Sequence, residues 1–187
     1  MAWPFGKPGA ADQRGRAVQS YVQGASAEPD DADVQWLAGI SGDSDIDRAR
    51  WELRYARRAF AVLVAERDAL DDRTGSLVAR EMRQALQMDR NVAAGMVAVA
   101  ERQLNQRMSS FRTALADRNA GETPEVRIAR VLLDRAGVRD VTTNIGRAAG
   151  IVRAYLDESQ EALRRAFGIA RVPEDVPPSV WGTRPPK

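Results

Sequence analysis

The stretch Ser76 to Arg118 constrains this chain more than any other, because its spacing predicts a single long helix. Its middle, residues 92–100, is an unbroken apolar run built mostly of alanine, glycine and valine around Met96. A helix that is apolar all round is covered on every side, and small residues let neighbouring backbones come close. This run is therefore expected to be the buried axle. On either side the pattern becomes one-faced, with Met82 and Leu86 before the run and Leu104, Met108, Phe111 and Leu115 after it. At about 1.5 Å per residue such a helix is about 65 Å long, a rod suited to a bundle or an assembly.

A first long helix is expected from Ser44, where Ser44 and Asp47 have the spacing of a capping box. Ile46, Ala49, Leu53, Ala56, Phe60, Leu63 and Leu70 then alternate steps of three and four, as in a coiled-coil seam, and Trp51, Tyr55, Val62, Ala65 and Ala69 form a second stripe. A helix with two apolar faces is sandwiched. Residues 71–75 have the composition of a helical-hairpin turn, the rival being one continuous helix over 45–118. Downstream, Thr123 and Pro124 open a short helix ended by Gly137, and a last helix runs from about Val141 to Phe167 with Gly168 as its stop. These two helices are expected to cover the rod near Leu104 to Leu115.

The predicted fold is thus all-α, an elongated helical hairpin or bundle over 44–168 with one very long central helix and two further C-terminal helices. Residues 1–43 carry more acids than bases among prolines and glycines, and read as a flexible arm with a short helix at 30–38. Residues 169–187 hold five prolines and read as an extended tail.

The composition narrows function. With no histidine or cysteine, and with Lys7 and Lys187 the only lysines, no recognisable catalytic arrangement is present; an enzyme is not expected. No cofactor and no metal site are expected either. Asp43, Asp45 and Asp47 alternate like the start of a calcium loop, but Arg48 and Arg54 stand where that loop needs glycine and glutamate, so capping is the better reading. The longest apolar run is too short to span a bilayer and no signal peptide is recognisable, which points to a cytoplasmic chain with no membrane span.

A net charge of +2 does not call for nucleic acid. One weak candidate is a helix-turn-helix-like corner within 124–156, where Arg139, Thr143, Asn144 and Arg147 are residue types that contact phosphates and base edges. Arg50, Arg57, Glu52 and Glu66 fall at the flanking coiled-coil positions where charges choose partners, which favours self-association. Trp3, Trp36 and Trp181 lie in the two arms and are natural anchors for a neighbouring surface. Leu53, Phe60, Leu63, Met96, Leu104 and Phe111 are the expected inter-helix packing residues. The resulting expectation is a non-catalytic structural or adaptor subunit that binds protein partners and itself, with a DNA-binding regulator as the alternative. Phage and other large assemblies contain components of this plan, an analogy of architecture alone.

Overall fold

The computed structural model of the chain describes residues 10–69, 72–117 and 121–168. They form seven α-helices: α1 (Ala10–Ala25), α2 (Asp31–Ile40), α3 (Ile46–Asp68), α4 (Asp72–Gln87), α5 (Val97–Ala116), α6 (Pro124–Arg135) and α7 (Val141–Phe167). Among the described residues, the β-type pairing is an isolated bridge between Ser41 and Val138.

The axle is α3, which packs against each of the other six helices. Its two apolar stripes are both used: Leu53, Tyr55, Ala56, Phe60, Val62, Leu63 and Val64 are all buried, with alanines 49, 56, 59, 61 and 65 letting neighbours approach. Phe60 meets Phe111 of α5 with ring centroids 4.9 Å apart. The expected cap at Ser44 lies one residue further on. Ser44 adopts a left-handed φ of 51°, and the Asp45 carboxylate accepts from the Arg48 N–H at 3.1 Å.

The single long helix over 76–118 does not form. It is cut after Gln87, where the Asp89 carboxylate accepts from the backbone and side-chain nitrogens of Asn91 at 2.9 and 3.1 Å, an Asx turn that competes with helix. The chain resumes through a 3-10 turn, Ala94–Met96, and only then enters α5. The turn is pinned from beneath by Arg58, a buried α3 side chain whose guanidinium donates to the Asp89 carboxylate. Two shorter helices therefore replace the rod, and both lie on α3. The 92–100 run is not an axle: Ala93, Ala94, Gly95 and Met96 are exposed, and only Ala100 is buried. Alanine and glycine satisfy an apolar count without supplying the area that burial rewards.

The hairpin between α3 and α4 is present and the continuous helix is excluded, but the turn falls earlier than expected. Asp72 to Gly75 are already the first turn of α4. There Gly75 lies against α3, where a Cβ on it would meet the Ala65 carbonyl oxygen at an ordinary contact distance of 3.5 Å.

In the N-terminal arm the short helix expected at 30–38 is present as α2, but the stretch before it is corrected. From Ala10 the chain is helical, and Val18, Tyr21, Val22, Val34 and Leu37 belong to the core. Tyr21 donates its hydroxyl to the Ala61 carbonyl at 2.8 Å and meets Phe167 edge-on. The helical spacing of these apolar residues outweighs glycines at 15, 24 and 39, each of which faces open space. Residues 1–9 and 169–187, with Trp3 and Trp181, lie outside the described residues.

Downstream, α6 covers the second half of α5 as expected, with Arg127 Nε donating to the Ala114 carbonyl at 2.7 Å. In contrast, α7 lies along α6, α3 and α1, and its apolar stripe of Ala148, Val152, Tyr155 and Leu163 is buried. At the corner between α6 and α7, Gly137 has a φ of 75° and accepts from the Gly42 N–H at 3.2 Å, tying this corner to the α2–α3 loop.

Candidate functional site

The charges on α3 find their partners inside the chain. Arg50 pairs with Asp31 at 3.0 Å, Arg57 with Glu158 at 2.8 Å and Glu66 with Arg112 at 2.7 Å, so three of the residues expected to select a partner helix hold this chain's own helices in register. Arg54 grips Glu28 through both Nε and Nη2, at 3.0 and 2.7 Å.

The fourth, Glu52, leads to the site. With 4% exposure it receives a fork of two hydrogen bonds from Arg107 of α5, Nη2 to Oε1 at 2.5 Å and Nε to Oε2 at 3.1 Å. This pair floors a cleft of about 580 Å3 between the first half of α3, the turn after Asn91, and α5. Tyr55 forms one wall: its hydroxyl donates to Gln103 Oε1 at 2.8 Å, and the Arg107 guanidinium lies 5.2 Å over its ring. Trp51 packs on Tyr55 at 5.3 Å, with Arg54 4.7 Å from the indole.

Three side chains form the rim. Met96, expected at the centre of the core, is 51% exposed here. Arg48 is shared between the Asp43 carboxylate at 2.7 Å and the Arg135 carbonyl at 3.0 Å. Arg135 donates Nη2 to the Ser110 hydroxyl at 3.0 Å and has no carboxylate partner among the described residues. Chemically, the cleft offers guanidinium donors, the half-buried Trp51 and an apolar edge. Burial raises the Tyr55 hydroxyl above its ordinary value. The Asp89 carboxyl beside the cleft feels burial, which would raise it, but the Arg58 and Asn91 hydrogen bonds hold it below the usual range.

The other expected residues fall elsewhere. Leu53, Phe60, Leu63, Leu104 and Phe111 are all in the core. Trp36 is half-buried, covered by the Arg147 guanidinium at 4.7 Å. Arg147 also reaches Asp33 at 3.5 Å, and Asn144 donates its amide to the Asp140 carbonyl at 2.8 Å. Arg147 is itself exposed, as are Arg139 and Thr143, while Asn144 is half-buried. Arg135 and Arg107 were missed. The signal for Arg107 was its place inside the stripe Leu104, Met108, Phe111, where a guanidinium needs a buried partner.

Among the described residues, no group of three or more acidic side chains is placed to hold a metal ion, and no helix is long and apolar enough to cross a membrane. Compared with protein-family models, curated proteins and solved structures, the chain matches none.

Proposed function

We propose that this chain is a non-catalytic interaction subunit that docks protein, its own copies included, on the face made by residues 92–99 and the cleft beside them. One observation carries this reading: the longest apolar run of the sequence lies on the surface, from exposed Ala93 to exposed Met96, at the rim of an open cleft. An exposed apolar run beside an open cleft supports this reading, with Met96 its large exposed side chain.

Molar mass in solution, measured by light scattering at low and high salt and with and without duplex DNA, tests it. The expected result is a mass well above 20.5 kDa that is insensitive to salt and falls when Met96→Glu places a charge on the face. A mass that Met96→Glu leaves unchanged sinks the reading. A salt-steep increase on adding DNA favours a DNA-binding regulator instead.

A further inference from the structure

We propose that residues 88–96 are a hinge through which two copies of this chain exchange their α5–α7 halves, α4 and α5 joining into one helix as the hinge straightens. The partner is a second copy, and the contacts between copies are ones that a single chain already shows. The exchange therefore stands apart from docking on the 92–99 face.

The helical pattern does not stop at the bend. Met82, Leu86, Ala93, Val97, Ala100 and Leu104 keep the spacing of one helix face, with a step of seven carrying it across Asp89. No proline stands between α4 and α5, and a lone Gly95, which faces open space, is tolerated inside a helix. The bend itself buries little, since Met88, Arg90, Asn91 and residues 93–96 are exposed. The backbone bonds that close it are Val92 N–H to the Asp89 carbonyl at 3.0 Å and Met96 N–H to the Ala93 carbonyl at 2.8 Å, against one per residue in a continuous helix.

What opposes straightening is the Asp89 carboxylate, held by Asn91 and by Arg58. That pin is imperfect. Arg58 is buried, and its Nε and Nη1 have no partner among the described residues, so the closed chain keeps a half-satisfied guanidinium that an open hinge returns to water. Everything beyond the hinge is reused. The Glu52–Arg107 fork, the Phe60–Phe111 contact and the Glu66–Arg112 pair join α3 to α5, and each forms equally well between two chains. The hinge therefore decides which copy's α5 lies on α3. In the straightened form Ala93, Ala94 and Gly95 stand near the middle of the joined helix, and side chains that small let the helices of the two copies cross closely.

The chain has no cysteine, so exchange can be read by a cross-link. Full-length Glu66→Cys and full-length Arg112→Cys chains are refolded together from urea at high concentration and treated with a short bis-maleimide. Only exchange brings residue 66 of one chain beside residue 112 of the other. A covalent two-chain product should form with the native hinge, and should increase about ten-fold when both chains carry Asp89→Ala, which removes the pin. Ala94→Pro in both chains should abolish it. Ala93 already has the extended φ of −61° and ψ of 142° that a following proline favours, so the bend accepts proline and the joined helix does not. No product from either the native or the Asp89→Ala hinge overturns the proposal, as does a product that Ala94→Pro leaves undiminished. A two-chain mass by light scattering without the cross-link is docking without exchange, and overturns it equally. Should Asp89→Ala fail to fold, the native hinge against Ala94→Pro decides.

Discussion

Glu52 and Arg107 are a buried pair that the fold tolerates losing together better than singly. Each is buried and satisfied by the other, so Glu52→Ala or Arg107→Ala leaves an uncompensated charge and should cost about 3–5 kcal/mol in urea unfolding. Replacing both, as Glu52→Leu with Arg107→Met, should recover most of that loss; equal losses for the single and double variants would show that packing, not charge, sets the cost. The tyrosines separate in a similar way. Tyr21→Phe gives up the bond to the Ala61 carbonyl and should cost about 0.5–1.5 kcal/mol, whereas the Tyr155 hydroxyl is buried without a partner among the described residues, so Tyr155→Phe should be neutral or stabilising. Burial pushes the Tyr155 hydroxyl up to about 12 from 10.0, and Tyr21 and Tyr55 are raised too. From pH 10 upward the unfolded chain releases these protons while the folded chain keeps them. The tyrosine contribution to stability should therefore be fully present below pH 10 and be lost between pH 10 and about 12, and Tyr155→Phe should flatten part of that fall. Urea midpoints that stay constant through this window would contradict the assignment.

At the scale of elements, the exchange of axles gives the sharpest contrast. Met96→Arg, which would be ruinous in a buried collar, should now shift the melting temperature little, because Met96 is 51% exposed. Phe60→Ala on α3 should cost about 3–5 kcal/mol, since that ring is fully buried against Phe111. Comparable melting temperatures for the two variants would return the axle to residues 92–100. The contrast also marks how far the sequence was legible. The helices α3, α6 and α7 were readable because bulky residues repeat at helical spacing beside recognisable caps and stops. The burial of Leu53, Phe60 and Leu63 follows from the two stripes of α3 meeting neighbours on both sides. The break at Asp89 was not readable from periodicity, because alanine-rich sequence continues a helical pattern through a turn. The local sign was the Asp89-Arg-Asn91 triplet, and what secures it is a long-range partner, Arg58. The cleft was illegible for the same reason: Glu52, Arg107 and Arg135 come from three helices, and only packing brings them together.

For the whole molecule, the question is whether residues 10–40 are an appendage or part of the cooperative unit. They supply α1 and α2, whose buried residues Val18, Tyr21, Val22, Val34 and Leu37 close the core over α3, α4 and α7. They also carry the partners of three α3 and α7 arginines: Glu28 for Arg54, Asp31 for Arg50, and Asp33 with Trp36 for Arg147. The Arg54 side chain is only 8% exposed, so losing Glu28 strands a charge in a site built for a pair. Deleting residues 1–40 should therefore abolish the single cooperative thermal transition and leave a chain that retains helix by far-ultraviolet circular dichroism while exposing apolar surface to a hydrophobic dye. A milder probe keeps the chain whole: Leu37→Ala, at a fully buried position of α2, should cost about 2–5 kcal/mol in urea. If α2 were merely an arm, Leu37→Ala would leave the urea midpoint where it was and the truncated chain would melt as the full chain does. A midpoint that falls with unchanged slope places α2 inside the same all-or-none unit as α3.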